Sequence, residues 1–173
     1  ADFFVTHFGS FKGSTEEEGL GRFARALNII IEEAQPNLTI LLENTAGGGN
    51  QLGYKFEHYK EILKKLDNSK RKSVGFCLDT AHAYVAGYDL STEDGLDSAL
   101  GDLEEFIGLE NLKMIHLNDA KGSYGSHLDR HEHLGKGRIG LKGIRRIINH
   151  DKLKDLVFIL ETPKFGTIYD KIN

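Results

Sequence analysis

Short apolar runs alternate along this chain with longer segments in which apolar residues recur every three or four positions. The short runs, which are typical of buried strands, cover residues 3–7, 39–43, 74–79, 113–117 and 156–161. The longer segments between them have the periodicity of amphipathic helices. This alternation predicts consecutive strand, helix and strand units, and therefore an α/β protein with five strands in a parallel sheet.

The clearest predicted helix lies between the first two strands. Ser14 and Glu17 have the spacing of a capping box, which marks where a helix begins. Its apolar stripe, which we expect to pack on the sheet, comprises Leu20, Phe23, Ala24, Leu27, Ile30, Ile31 and Ala34. Three further helices are predicted over residues 56–66, from Ser91 or Thr92 to residue 107, and over residues 141–149.

Length and composition bound what the chain can be. Its 173 residues suffice for one domain, residues 1–173, but not for a complete (β/α)₈ barrel, which needs about 250 residues. Hydrophobic residues at 39% and charged residues at 28% are typical of a soluble globular protein. No apolar run approaches the roughly 20 residues of a membrane span, so we expect no membrane partner.

The cysteine count and the net charge give weaker indications, about cellular location and binding partners. The chain has one cysteine, Cys77, which excludes an internal disulfide framework, and it shows no targeting signal. Both features favour an intracellular location, either cytoplasmic or in the nucleoid or nucleus. The formal net charge of −4 does not exclude a nucleic-acid partner, because bound divalent ions would reverse the sign of the charge locally.

The residues that close the predicted strands carry the candidate chemistry. His7, Glu43, Asp79, His116 and Glu161 each lie at the carboxyl end of an apolar run, and each is a metal-ligand residue type. The carboxyl ends of parallel strands meet on one face of a sheet, where ligands bind. Carboxylates and imidazoles gathered on that face would stay uncompensated without a cation. The pattern therefore predicts a divalent-metal site.

Two clusters in the loops extend this predicted site. His82 follows Asp79 by three residues, and Asp129 and His131 are two residues apart, so that in an extended loop both side chains point the same way. Together His82, Asp129 and His131 provide three ligands, the number typical of a catalytic zinc ion. Any one of these residues alone would more commonly cap a helix or face solvent, so it is the set that favours metal. Surface or supporting roles are expected for His58, His127, His133 and His150.

Two glycine-rich motifs resemble nucleotide-binding sequences but lack the required context. Residues 135–140, Gly-Lys-Gly-Arg-Ile-Gly, match the dinucleotide-binding pattern, yet they follow a long loop and not a strand. Residues 47–49 are three glycines after a strand, without the Lys-Ser/Thr pair of a phosphate-binding P-loop. We therefore expect no nucleotide cofactor, and we interpret residues 47–49 as a flexible turn, with backbone contact to a phosphate left open.

Five segments of the chain carry a resemblance to a known family. They are THFGS (6–10), LLENTAGGGNQLGYKFEH (41–58), GFCLDTAHAYVAGYDL (75–90), HLNDAKGSYGSHLDRHEHLGKGRIG (116–140) and ILET (159–162). They resemble the abasic-site endonucleases of the endonuclease IV family. The resemblance implies an α/β (β/α)₈ TIM barrel of the xylose-isomerase-like type, of which this chain holds the last five strand–helix units. It also implies a zinc-dependent endonuclease of base excision DNA repair, which cleaves the DNA phosphodiester 5′ to an abasic site with a metal-activated hydroxide.

The resemblance also implies a role for each predicted site residue. It implies up to three zinc ions, with His7 and Glu43 on the first, Glu43, Asp79, His116 and Glu161 on the second, and His82, Asp129 and His131 on the third. Glu43, which would bridge two ions, and Glu161 are the implied catalytic residues. The family has a further histidine ligand in strands before His7, and this chain lacks it. We therefore expect the first site to be one ligand short, and the chain to need a missing N-terminal segment of the same barrel.

Damaged double-stranded DNA is the partner that the resemblance implies. Four cationic residues in the loops near the predicted metal site are candidates for its phosphate oxygens: Lys121, Arg130, Lys136 and Arg138. Two alternatives stay open. A metal-dependent sugar isomerase or epimerase would share the barrel and the strand-end ligands, although it would not need the third site of His82, Asp129 and His131. An inactive metal-binding barrel fragment would share every ligand.

Overall fold

The computed structural model describes residues 1–163 of the chain. Its helices and strands follow in the order β1 (Phe3–His7), α1 (Glu16–Ala34), β2 (Thr39–Glu43), α2 (Phe56–Lys65), β3 (Val74–Asp79), α3 (Thr80–Ala86), α4 (Glu93–Phe106), β4 (Leu112–His116), β5 (Asp119–Ala120), β6 (His131–Glu132), α5 (Gly140–Asn149) and β7 (Val157–Ile159). Two short 3₁₀ turns, Arg71–Ser73 and Leu109–Asn111, lead into β3 and β4. The predicted alternation of strands and helices is confirmed.

One parallel sheet forms the centre of the fold. Its five strands lie in the order β1, β2, β3, β4, β7, and every pairing between neighbours is parallel. The predicted bounds of the first three strands are confirmed, whereas β4 begins one residue earlier than predicted and β7 is shorter. Within residues 1–163, β7 pairs with β4 alone; the strand ends at Ile159, and Glu161 lies beyond it. The strands β5 and β6 form a separate antiparallel pair.

Both faces of the sheet are apolar, which explains why its strands appear in the sequence as continuous hydrophobic runs. Side chains alternate between the two faces along each strand. On one face, residues such as Leu42 and Leu78 belong to the main core, together with apolar residues of the helices. On the other face, Leu41, Cys77 and Met114 form a second buried cluster. The polar residues of these strands lie at a strand end or next to one.

The capping box of helix α1 is formed by Thr15 and Glu18. Thr15 Oγ1 accepts a hydrogen bond from the Glu18 N–H, and Glu18 Oε2 accepts one from the Thr15 N–H, both at 3.2 Å. The predicted box of Ser14 and Glu17 is therefore wrong by one residue. Ser14 Oγ instead donates to the Phe11 carbonyl at 2.9 Å, which commits its hydroxyl to the preceding loop.

We expect Thr15→Ala to lower the free energy of unfolding by about 1 kcal/mol, because the Glu18 N–H loses its acceptor. Urea denaturation followed by circular dichroism measures this change. Glu17→Ala is the matched control: Glu17 is exposed in the same turn and lies outside the box, so its effect should stay within about 0.5 kcal/mol. An equal loss in both variants would contradict this assignment of the cap.

The buried face of α1 is narrower than its apolar stripe. Burial in the core is confirmed for Leu20, Ala24, Leu27 and Ile31. The prediction is wrong for Ile30, which is 51% exposed, and for Ala34, which is also exposed. Ile30 lines an apolar cavity of about 240 Å³ beside β1, together with Phe4, which is 58% exposed. Within residues 1–163 the outer edge of β1 has no partner strand in the main sheet, so this side of α1 has little to pack against.

Helix α3 was absent from the sequence-based prediction. It follows β3 without a loop, because Asp79, the last residue of the strand, is also the N-cap of the helix. Helix α4 is capped by Thr92, whose hydroxyl accepts from the Gly95 N–H, and not by Ser91. None of the helices in residues 1–163 has both the length and the apolar character of a membrane span.

Candidate metal centre

The carboxyl ends of the sheet strands bring the five predicted strand-end residues to one rim. His116 Nδ1 lies 2.9 Å from Glu43 Oε1 and 3.2 Å from Glu161 Oε2. Asp79 closes the neighbouring strand β3 and is fully buried. His7, on the edge strand β1, is farther out: its Nδ1 lies 3.7 Å from Glu43 Oε2, and its side chain is 52% exposed.

Four of these residues form a group that could hold one metal ion. Glu43, Asp79, His116 and Glu161 each offer one ligand atom, and these atoms all lie within 4.8 Å of one another. Two of the three carboxylates, those of Glu43 and Asp79, are buried. Carboxylates at this spacing repel one another unless a positive charge lies among them. A donor set of one imidazole and three carboxylates suits a divalent cation, zinc included.

A second group lies beside the first and shares Asp79 with it. Asp79, His82 and His131 again place one ligand atom each within 4.8 Å of one another. The cap of α3 explains the position of His82, because its N–H donates to Asp79 Oδ1 at 2.7 Å and so keeps it in the first turn, next to the strand end. Asp129, in the loop before β6, adds a carboxylate oxygen 3.2 Å from His82 Nε2. The structure therefore brings together all eight residues predicted as ligands.

The orientation of two imidazoles tests whether this group fits a cation. His82 Nδ1–H donates to the Asn44 carbonyl at 3.0 Å, and His131 Nδ1–H donates to the Glu161 carbonyl at 3.1 Å. Their Nε2 atoms lie 3.4 Å apart, and in neutral imidazoles these atoms carry lone pairs. Lone pairs that face each other and the Asp129 carboxylate need a positive charge between them. Histidines on a metal have this arrangement, with the second nitrogen donating to a carbonyl, so the residues fit a metal ion.

The electrostatics of the rim favour positive charge. Burial acts to lower the pKa of His82, but the hydrogen bond with Asp129 and the charge of Asp79 outweigh it and raise that pKa to about 9. At His116 burial again acts to lower the pKa, and the hydrogen bond with Glu43 outweighs it, so that the pKa is raised. The hydrogen bond with His82 lowers the pKa of Asp129. A divalent cation would satisfy the same demand for positive charge.

Two buried asparagines, which the sequence analysis did not identify, hold the residues of the rim in place. Asn118 Nδ2 donates to Asp79 Oδ2 at 2.7 Å, while Asn118 Oδ1 accepts from the Glu161 N–H at 2.8 Å. Asn44 Oδ1 accepts from the Asp79 N–H at 2.7 Å. Both asparagines follow within two residues of an apolar strand, β4 or β2. A polar residue just past such a strand was the signal that could have found them.

Asp119, also missed, explains the glycine motif of residues 135–140. Its carboxylate is fully buried and accepts hydrogen bonds, at 2.9 to 3.3 Å, from the backbone N–H groups of Gly135, Gly137, Ile139 and Gly140. A Cβ on Gly137 would lie 2.5 Å from Asp119 Oδ1, so glycine is needed at this close approach. The motif wraps around a carboxylate of its own chain.

The predicted DNA-contact residues divide into a cluster and an outlier. Three of the four line one cavity of about 300 Å³: Lys121, Lys136 and Arg138. Glu132 of β6, the residue after His131, also lines this cavity. Arg130 is exposed, and its guanidinium donates to the Asp129 carbonyl at 2.6 Å.

Comparison with known proteins identifies relatives along the whole chain. A family model described as a xylose isomerase-like TIM barrel matches residues 1–171. The probable endonuclease 4 of Halothermothrix orenii is 49% identical over 166 residues, which are 96% of this chain and 59% of that protein. The probable endonuclease 4 of Methanoculleus marisnigri is 44% identical over 162 residues, which are 93% of this chain and 57% of that protein.

A solved structure agrees with these sequence relatives. The crystal structure of endonuclease IV from Thermus thermophilus matches with a TM-score of 0.83 and 38% sequence identity, covering 100% of this chain and 59% of that chain. The chain thus spans less than two thirds of the length of the relatives that it matches. The resemblance inferred from the sequence is confirmed: the chain belongs to the xylose isomerase-like TIM barrel family, among the proteins of the endonuclease IV type.

Proposed function

We propose that this chain is the metal-binding part of a zinc-dependent endonuclease, which hydrolyses the DNA phosphodiester 5′ to an abasic site in base excision repair. The observation that carries the proposal is the pair of metal-sized groups on one rim, which share Asp79. Relatives at 49% and 44% identity are named probable endonuclease 4, which supports the same reaction class.

Zinc is the proposed metal, and the rim offers ligands for up to three ions. The proposed ligands are Glu43, Asp79, His116 and Glu161 for one ion, His82, Asp129 and His131 for another, and His7 with Glu43 for a third. The set of two histidines and one carboxylate is typical of zinc sites that keep a position open. When bound, zinc makes water a nucleophile near neutral pH and offsets negative charge on phosphoryl oxygens.

The side chains of this chain would act by holding that site in a fixed geometry. The carboxylate of Asp79 is held by Asn118 and by the first turn of α3. Glu43 and Glu161, the proposed catalytic residues, face the same imidazole, that of His116. A site whose charged groups are already oriented needs little reorganisation when negative charge develops on a phosphodiester.

The cavity of Lys121, Lys136 and Arg138 would receive a phosphate of the DNA backbone. Among residues 1–163, none of these three cations belongs to an ion pair, and they outnumber the one carboxylate that lines the cavity, that of Glu132. Contacts to backbone phosphates orient a protein on the duplex without reading its sequence. This fits an enzyme that would recognise a lesion and not a base sequence.

We expect Lys136→Gln and Arg138→Gln each to weaken DNA binding by a similar factor on any sequence. Each should also reduce the slope of log affinity against log salt by about 1, because one fewer phosphate is neutralised. Fluorescence anisotropy of a labelled duplex at several salt concentrations measures the slope. Lys152→Gln is the control, since Lys152 is exposed and lies outside the cavity. Unchanged slopes in both cavity variants would contradict the proposed contact.

The open edge of β1 supports completion of the barrel by a further segment of the same type. The relatives are longer than this chain, which covers 57% to 59% of them. A parallel strand paired with β1 would cover the apolar cavity that Phe4 lines. It would also bring further side chains close to His7, which is half-exposed at that edge.

The proposed activity is tested with a duplex oligonucleotide that carries one tetrahydrofuran analogue of an abasic site. The assay uses the chain alone and a chimaera in which this chain replaces the matching part of the Halothermothrix orenii relative. We expect the zinc-loaded chimaera to nick the strand 5′ to the analogue and to spare an undamaged duplex. Equal cleavage of both duplexes, no cleavage at all, or turnover of a ketose sugar instead would contradict the proposal.

A further inference from the structure

The loop that carries Asp129 is exposed, yet Asp129 must stay close to His82 if the proposed metal centre is to form. Residues 123–130 are all exposed, and exposed loops keep one conformation only where specific contacts impose it. One such contact joins the loop to helix α3: the His127 N–H donates to the Val85 carbonyl at 2.9 Å. This bond ties the loop to the helix of His82.

The His127 side chain adds a contact to a different element. Its Nδ1–H donates at 2.7 Å to the carbonyl of Ala46, in the loop that follows β2, and its ring meets the Tyr54 ring edge-on at 5.8 Å. The same stretch of loop orients His82, whose Nδ1–H donates to the Asn44 carbonyl at 3.0 Å. Two carbonyls that are two residues apart therefore position a ligand imidazole and the loop of the neighbouring carboxylate.

The backbone around this contact makes room for the imidazole. A Cβ on Gly47 would lie 2.8 Å from His127 Nδ1, and one on Gly48 would lie 3.2 Å from the His127 carbonyl oxygen. Two of the three glycines interpreted from the sequence as a flexible turn, Gly47 and Gly48, thus pack against His127. His127 has a φ of 55°, a left-handed conformation that is uncommon for residues other than glycine. Such a conformation persists where surrounding contacts hold it.

We infer that His127 is a positioning residue for the metal site of His82, Asp129 and His131. By anchoring the loop to the residues that follow Glu43, it holds the Asp129 carboxylate at 3.2 Å from His82 Nε2. The inference rests on the metal centre of the proposed function. It concerns affinity for the metal ion and needs no contact with substrate.

The test compares the zinc affinities of metal-free protein variants by competition with a chelator. His127→Gly removes the side chain and suits the left-handed backbone, and it should weaken this site by about 10- to 100-fold, as loss of an orienting partner typically does. His127→Asn puts an amide nitrogen where Nδ1 lies and tolerates the same backbone conformation, so it should restore most of the affinity. Gln35→Gly is the matched control, because Gln35 also has a positive φ, 42°, and caps the far end of α1.

Two results would overturn the inference while leaving the metal centre in place. One is equal zinc affinity in the wild-type and His127→Gly proteins, and the other is an equal loss in Gln35→Gly. A wild-type protein that binds no zinc would overturn the metal centre and this inference with it. Should His127→Gly fail to fold by circular dichroism, His127→Leu replaces it with the same expected loss, because leucine fills the space but cannot donate to Ala46.

Discussion

Glu43→Gln is expected to abolish tight zinc binding at the centre of the rim. Glu43 is 5% exposed, and its two oxygens face His116 at 2.9 Å and His7 at 3.7 Å. Glutamine keeps the size of the side chain but removes the charge that a cation needs. Affinity should fall by at least about 100-fold, the upper end of the cost of losing a group that only orients a ligand. Chelator competition measures the affinity, and abasic-site cleavage by the chimaera should fall with it.

Glu57→Gln is the control for this substitution. Glu57 is exposed on α2, so the same change of charge there should leave zinc affinity and cleavage unaltered. Wild-type zinc affinity in Glu43→Gln would contradict the role proposed for Glu43. An equal loss in both variants would show that the effect does not arise at the rim.

Asp119→Ala is expected to lower the free energy of unfolding by about 4 kcal/mol. The buried carboxylate accepts hydrogen bonds from four N–H groups within residues 135–140. Each buried N–H left without a partner costs about 1 to 3 kcal/mol, and entering water would offset part of the total. The shift of the urea midpoint measures the loss. Since the segment also carries Lys136 and Arg138, DNA affinity should fall in the same variant.

Asp119→Asn should lose less stability than Asp119→Ala, because its carbonyl oxygen can still accept hydrogen bonds. Gly137→Ala disturbs the same contact through the glycine, because the added Cβ would lie 2.5 Å from Asp119 Oδ1, and it should also lower the free energy of unfolding. Asp155→Ala, at an exposed position, should change the free energy of unfolding by no more than about 0.5 kcal/mol. If Asp119→Ala were no more destabilising than Asp155→Ala, the carboxylate would not be what holds the segment.

The strand ends of the rim could be predicted because their signal is local. An apolar run that stops at Glu43 or Asp79 needs no distant contact to be identified, and the parallel sheet then brings both residues to one face. Glu161 was also correctly expected at this rim, although its strand, β7, is shorter than predicted. Glu161 lies two residues beyond β7, but its N–H bond to Asn118 still places it at the rim.

The cap of α1 could not be resolved from the sequence, because two registers fit it equally well. Ser14 and Thr15 are both good N-cap residues, and three glutamates follow them at positions 16–18. Either residue therefore finds a glutamate three positions later. The choice depends on the tertiary contact of Ser14, whose hydroxyl bonds to the Phe11 carbonyl and accepts a hydrogen bond from Arg22.

The supporting residues were missed because their partners are distant in sequence. Asp119 accepts hydrogen bonds from residues 16 to 21 positions later, and Asn118 reaches Glu161 over 43 positions. No periodicity reports such contacts. The contacts of Asp119 with residues 135–140 also explain where the predicted DNA-contact residues lie. Lys121 and Arg138 line one cavity because residues 135–140 fold back on Asp119. Arg130 lies elsewhere, in the loop where it donates to the Asp129 carbonyl.

Anomalous scattering at the zinc absorption edge, from crystals of the zinc-loaded protein, tests the central claim most directly because it locates each ion. We expect at least two peaks about 2.0 to 2.2 Å from their ligand atoms. One should lie among Glu43, Asp79, His116 and Glu161, and another beside His82, Asp129 and His131. A map with no peak among these side chains would contradict the account.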